Sequence, residues 1–271
     1  MPPKKTAPKA ERPTVKAERK LPERASLTLG SRARNPKTSE IVARDLAAQI
    51  ADAAMEEGTM LPTERVMAES LGVGRTTMRE ALRLLETRGV LTIRSGPGGG
   101  PVVRRPRPSD LTEALTLILQ FESATFKEVM DARLWLEPTV ARSAAAGISE
   151  EAIDALQELN DTMRQSAGDE DVMSASNRRF HSIIAEESGS VVLRIFSETI
   201  LTIGDGRSVG IGYPRKQILA IADSHQLVID ALRAHDADKA ELAMREHLVE
   251  ANTYWHRRFA DVISRPVRWI Q

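Results

Sequence analysis

No cysteine occurs anywhere in the chain. That absence excludes a disulfide and a thiolate metal site. Aromatic residues are also scarce, at 4% of 271 residues, so leucine, isoleucine, valine and alanine must fill the core, which leans towards an all-helical protein. No apolar run approaches the roughly 20 residues that a membrane helix needs. The charged, proline-bearing N-terminus has no apolar core of a signal peptide. These absences lead to the expectation of a soluble, cytoplasmic protein with no membrane partner. Net charge is missing as well, with 38 basic against 38 acidic residues. What is present is an apolar fraction of 41%, enough for a packed core, in a length that suits two domains.

The zero net charge conceals a gradient. Residues 1–37 carry eleven Lys/Arg against three Glu, a net +8; residues 38–106 carry nine of each sign; residues 107–271 carry eighteen basic and twenty-six acidic residues, a net −8. A basic arm, a neutral middle and an acidic body fit a protein that meets DNA at one end. The arm over 1–37 has almost no large apolar residue, so it cannot bury enough surface to offset its ordering entropy and is expected to be disordered. Two readings of it stand side by side: a solvated tail, or an electrostatic arm that adds nonspecific DNA affinity by counterion release.

The stretch from Leu61 to Val103 carries the most information. A first helix is predicted from Ser39 to Glu57, with Val42, Leu46, Ile50 and Ala54 as its apolar stripe, Thr38 or Ser39 as its cap and Gly58 as its stop. Thr63 can cap a second helix whose Val66, Met67 and Leu71 face inward. Leu71-Gly72-Val73 makes a turn, and a third helix starts near Arg75 with Met78, Ala81, Leu82 and Leu85 buried, stopping at Gly89. Leu91–Arg94 then reads as a strand, Ser95–Gly100 as a wing tip and Pro101–Arg104 as the return strand. That order is a winged helix-turn-helix, which puts a helix N-terminus into a DNA groove. Arg75, Thr76, Thr77 and Arg79 lie at that end of the third helix, where backbone N–H groups and a partial positive charge favour phosphate. Arginine suits guanine O6/N7, and threonine suits a thymine methyl or a phosphate. Arg65, at the start of the second helix, can reach the DNA backbone or the groove edge. Ser95 and Gly96 open the glycine-rich wing tip, whose backbone can approach the minor groove closely. Any one of these arginines alone reads as a solvated helix charge; together at one exposed helix start they read as DNA contacts.

The segment from Leu61 to Gly89 closely resembles the GntR family of bacterial transcription factors, through LPTERVMAESLGVGRTTMREALRLLETRG. Gly74 departs from the family pattern, where Ser or Thr is usual. It removes a hydroxyl that could cap the recognition helix or touch phosphate.

After Pro106 and Pro108, helices are predicted near 109–120, 125–146, 149–166, 170–188, 190–208, 214–234 and 236–260, with Gly204, Gly206, Gly210 and Gly212 loosening the end of the fifth. The fold class is therefore mainly α: an N-terminal winged helix-turn-helix over 38–106 with a small β-wing, an antiparallel helical bundle over 107–262, and a C-terminal tail over 263–271. Among five histidines, His235 falls in a turn and His256 near the end of the last helix, so both read as surface or packing residues. His181, His225 and His247 come from three different helices and could meet. Asn177 precedes His181 by four residues and so shares its helix face. Spacing alone favours hydrogen-bonded core histidines over ligands.

This body resembles the FCD domain of the FadR subfamily, through NRRFHSIIAEESG around His181, DSHQLVIDAL around His225, AMREHLVE around His247, and Asp131-x-Arg133-x-x-x-Glu137. The resemblance covers roughly residues 109–255. It implies that His181, His225 and His247 ligate a divalent metal (zinc, nickel or manganese), and that Arg133 helps hold an acidic effector. The family's usual fourth ligand is an aspartate where this chain has Asn177. An amide oxygen is a weaker, neutral ligand, so metal affinity should fall and the site should keep its full positive charge, favouring an anionic ligand near Arg133. The competing reading is a pocket without metal that binds effector through imidazoles and Arg133 alone.

The whole reads as a ligand-responsive repressor, not an enzyme, which binds a near-palindromic double-stranded operator as a homodimer and responds to a small carboxylate. One alternative is a metal-independent acyl-CoA or fatty-acid sensor. A second is a metallohydrolase tethered to DNA, for which Glu186 and Glu187 would be the bases on offer, although no spacing places either at the metal. No nucleotide loop, nucleophile elbow or dinucleotide fingerprint is present; the glycines after Ser95 lie between two strands.

Overall fold

A computed structural model of the chain describes residues 37–96, 98–205 and 210–269. All of the basic arm but Lys37 lies outside the described residues, as do Pro97 of the wing tip, Gly206 and the last two residues. The elements run α1 (Thr38–Asp52), α2 (Glu64–Ser70), α3 (Arg75–Thr87), β1 (Leu91–Arg94), β2 (Gly100–Val103), α4 (Pro108–Phe121), α5 (Phe126–Ala145), α6 (Glu150–Gln165), α7 (Glu170–Glu186), α8 (Val191–Ile203), α9 (Arg215–Arg233), α10 (Ala237–Arg258) and α11 (Ala260–Ile263). This is a mainly helical protein, with a winged helix-turn-helix followed by a helical bundle.

The first three helices share one core. Val42, Ala43, Leu46 and Ile50 of α1 meet Met67 and Ala68 of α2, Met78, Ala81, Leu82 and Leu85 of α3, and Leu91 and Val103 of the wing. Thr63 caps α2 by accepting from the Val66 N–H, and Gly89, at φ +72°, ends α3 in the left-handed region that glycine enters without steric cost. β1 and β2 pair antiparallel, with Arg94 opposite Gly100 and Leu91 opposite Val103.

Three expectations fail here. α1 stops at Asp52 rather than Glu57, because the following backbone joins the wing: Gly58 N–H donates to Val103, Val103 N–H to Thr59, and Leu61 N–H to Pro101. Ala54, expected on the buried stripe, is exposed at φ +48°. Val66 is 42% exposed; in a helix of two turns the inward face belongs to its neighbours Met67 and Ala68.

In the body, side-chain caps start the helices where expected. Thr125 and Glu128 form a capping box on α5, Ser149 caps α6, Asp169 α7, Ser190 α8 and Asp236 α10, each giving an acceptor to an N–H group that lacks one in the helix. The main core is aliphatic apart from Phe180, with Val140, Ile153, Leu156, Ile184, Ile229, Leu232 and Met244 at its centre. α8 ends at Ile203 rather than 208, with Gly204 as its C-cap. The C-terminal segment runs alongside the α4–α5 junction: Phe126 N–H donates to Arg265, Val267 N–H to Ala124, and Trp269 N–H to the Gln120 side chain. No helix among the described residues is long and apolar enough to cross a membrane.

Candidate DNA interface and histidine centre

The first turn of α3 offers its residues to solvent. Arg75 and Thr76 are exposed, and Thr77 is half-buried. Gly74 is the N-cap and makes no side-chain cap, so the missing hydroxyl leaves the leading N–H groups without a side-chain partner. Arg79 is exposed but engaged, donating from Nε and Nη2 to the two carboxylate oxygens of Glu64 at 3.1 and 2.9 Å. Arg65 donates to Glu69 one turn along α2 at 3.0 Å. Arg75 has no ion-pair partner among the described residues. In the wing, Ser95 and Gly96 are exposed, and Gly99 N–H donates to Gly96 at 2.9 Å. A Cβ on Gly99 would stand 2.3 Å from the Arg94 carbonyl oxygen, so only glycine closes this turn.

The second site lies among α5, α7, α9 and α10. His181 on α7, His225 on α9 and His247 on α10 bring one ligand atom each within 4.8 Å of one another. Their ring centroids lie 4.6 to 5.7 Å apart, and all three side chains are buried. The Phe180 ring stacks on His225 at 3.8 Å with 2° between planes, so the residue before the first histidine orients the second. His247 Nδ1 lies 2.8 Å from Ser224 Oγ. Both nitrogens of His225 and Nε2 of His181 lack a hydrogen-bond partner among the described residues. Buried polar atoms of this kind are ordinarily satisfied by protein or water. Three nitrogen donors with open lone pairs are a donor set that zinc, nickel and similar ions accept, so the residues present fit a divalent metal.

α5 supplies the charge beside them. Arg133 Nε donates to Glu137 Oε1 one helical turn on, in a buried pair. Glu137 Oε2 lies 2.5 Å from His181 Nδ1, close in distance but not aligned as a straight hydrogen bond, since neither atom meets hydrogen-bond angles. Burial opposes the charge on Glu137, but the Arg133 guanidinium and then His181 outweigh it and hold the carboxyl well below the usual carboxylate range. Burial, reinforced by the neighbouring imidazoles, pushes His225 well below its ordinary value and His247 down to about 3. Both rings are neutral near pH 7, the form in which imidazole is a ligand.

Asn177 is half-buried and lines a cavity of about 50 Å³ together with Arg133, Arg178, Gly204, Tyr213 and Trp255. Arg133 thus faces both the cavity and Glu137. Its two Nη groups carry further N–H donors with no partner among the described residues. Two contributors had no role assigned from the sequence. Glu137 was signalled by its place four residues after Arg133, the spacing of a helical ion pair. Ser224 had no signal, because its partner His247 lies on another helix. His235 and His256 stand apart from the cluster, bonded through Nδ1 to the carbonyls of Ala145 and Asn252. Glu186 pairs with Arg179, and Glu187 accepts from the Ser149 N–H, so both are held away from the imidazoles.

Residues 38–99 match the family described as bacterial regulatory proteins, gntR family, and residues 128–250 match the FCD domain. The HTH-type transcriptional repressor NanR of Escherichia coli strain K12 is 28% identical over 228 residues, covering 81% of this chain and 85% of its own length. The protein of the same name from Salmonella arizonae is 29% identical over 247 residues, covering 86% and 92%. Among solved structures, Streptococcus agalactiae GntR superposes with a TM-score of 0.65 at 26% identity, covering 80% of this chain and 99% of that one.

Proposed function

The chain belongs to the GntR family of bacterial regulatory proteins, with an FCD domain behind its DNA reader, and from that premise we propose that it is a ligand-responsive repressor. Two copies bind a near-palindromic duplex, and a small acidic metabolite among the C-terminal helices releases or re-aims them. The observation that carries this reading is the exposed first turn of α3, where Arg75 has no ion-pair partner among the described residues and the helix N-terminus lacks a side-chain cap. Arg65, Thr76, Thr77 and Arg79 flank it, and Ser95 and Gly96 of the wing add a second point of approach. Pairing is expected because a single reader binds weakly and a twofold pair matches a twofold site. The repressor assignment takes support from the names of the NanR relatives.

His181, His225 and His247 would hold a divalent ion, with Asn177 as a neutral neighbour one turn before His181. Such an ion supplies a Lewis-acidic centre that attracts a carboxylate. Arg133 orients that carboxylate through the Nη donors left over from Glu137, in the forked geometry suited to bidentate recognition. Glu137 keeps the guanidinium in place and offsets its charge. The cavity of about 50 Å³ suits a small anion and falls well short of the roughly 300 Å³ or more of a typical ligand pocket, which argues against an acyl-CoA.

An anisotropy titration of the full chain against duplex from its own upstream region tests this. Affinity should fall steeply with salt, and a member of a panel of small carboxylic acids should lower it further in the presence of zinc, nickel or manganese. A ligand shifts the equilibrium only through different affinity for the two arrangements, so a panel without effect on DNA affinity overturns the effector reading. Absence of duplex binding overturns the whole.

A further inference from the structure

We propose that Ser224 and Glu137 are positioning residues that fix which nitrogen of His247 and His181 carries the proton, leaving Nε2 of each as the lone pair presented to the metal. The proposal rests on the metal-binding reading of the histidine centre.

The argument at His247 is a count of hydrogens. A serine hydroxyl has one. Ser224 Oγ donates it to the Ile221 carbonyl at 2.8 Å, and a carbonyl can only accept. The same Oγ lies 2.8 Å from His247 Nδ1. Both contacts are hydrogen bonds only when Oγ donates to the carbonyl and accepts from Nδ1, which makes Nδ1 the protonated nitrogen. In the neutral ring Nε2 is then the lone pair, and the bond at the far nitrogen sets ring orientation as well as tautomer.

At His181 the same logic runs through a carboxylate. Glu137 Oε1 takes the Arg133 Nε–H, and Oε2 stands 2.5 Å from His181 Nδ1. A carboxylate held by a guanidinium accepts only, so the hydrogen again belongs on Nδ1. The contact is bent, which makes this the weaker of the two locks.

His225 differs. Neither of its nitrogens has a hydrogen-bond partner among the described residues, and its plane is held by the Phe180 stack. The centre therefore joins two rings with preset tautomers to a third with fixed orientation and free tautomer. The dipeptide Ser224-His225 does two jobs from adjacent positions of α9: one residue supplies a ligand, and the other aims a ligand on α10.

The test uses the full chain, metal-free, with ¹⁵N-labelled histidine. Long-range ¹H–¹⁵N correlation should show the proton of His247 and His181 on Nδ1. Ser224→Ala should average the His247 pattern between tautomers, leave the His181 pattern unchanged and weaken zinc about tenfold or more in competition with a chromophoric chelator, in line with the loss of a metal-orienting partner. Thermal melting should barely move, and Ser224→Thr, which keeps the hydroxyl, should restore both readouts. A wild-type His247 protonated on Nε2, or a Ser224→Ala variant that binds zinc as tightly as wild type, overturns the proposal. Wild type that takes up no zinc, nickel or manganese overturns the metal reading and the purpose assigned to the lock, while the wild-type tautomer pattern still judges the lock itself.

Discussion

Arg75 and Arg79 share one turn of α3 but not one environment. Arg79 is already satisfied by both oxygens of Glu64, and to touch a base it must first give that pair up. A solvent-exposed ion pair contributes little, so the penalty is modest, but Arg75 has none. Arg75→Ala should therefore cost operator affinity roughly 1–3 kcal/mol, about fivefold to 150-fold, and Arg79→Ala less. Anisotropy titrations at one salt concentration check the order, and equal losses would show that Glu64 positions Arg79 rather than competing for it. The buried histidines make a second residue-scale prediction. Burial lowers the pKa of His247 from 6.5 to about 3 and moves His225 the same way. The unfolded chain takes up these protons near pH 6.5 while the folded chain refuses them, so stability of the metal-free protein falls as pH drops below 6.5 and keeps falling towards 3. The slope is about 1.4 kcal/mol per pH unit for each such ring. A melting temperature that stays flat between pH 7 and 5 would contradict the assigned environments.

Elements were legible wherever local chemistry decides them. The caps Thr125, Ser149 and Asp236 and the stop at Gly89 are written in single residues, so the helices of the body lie close to where periodicity places them, apart from the end of α8. α1 is the counterexample. Its run through Ala53, Ala54 and Met55 has good helix propensity, yet it stops at Asp52 because the backbone of residues 58–61 is needed as a partner for β2. That partner is distant in sequence and invisible to a local reading. The histidine centre divides in the same way. The three imidazoles carry their own motifs, whereas the roles of Glu137 and Ser224 exist only once α5 faces α7 and α9 faces α10. The wing offers a prediction at this scale. Gly99→Ala puts a methyl carbon 2.3 Å from the Arg94 carbonyl oxygen, so the β1–β2 turn must open. DNA affinity should drop several-fold while zinc uptake and the melting of the bundle stay as in wild type. Unchanged DNA affinity would remove the wing from the interface.

For the whole molecule, the proposed pairing needs a face for the second copy, and α4 offers one. It begins five residues after β2 ends and has no buried residue, although Leu111, Leu117, Ile118 and Phe121 are among its side chains and Phe121 is 80% exposed. α4 packs on α8, which exposes Val191, Val192 and Phe196. Apolar surface gathered on two adjoining helices marks an interaction face. The N-terminal arm is a poor cover for it, being basic and nearly devoid of large apolar residues. A second copy is the better occupant, because contact across α4 would transmit any shift in the body directly to the chain entering the wing. Ile118→Lys together with Phe121→Lys should yield a monomer in sedimentation. Zinc uptake per chain should be unaffected, since neither residue belongs to the histidine centre. Operator affinity should fall towards the roughly 10⁻⁴–10⁻⁶ M of nonspecific contact, because a lone reader loses the twofold match. If the double variant remains a dimer, the pairing face must instead be sought on α9 and α10, where Leu227, Leu242 and Val249 are exposed, and effector binding would then reach the readers through the body alone.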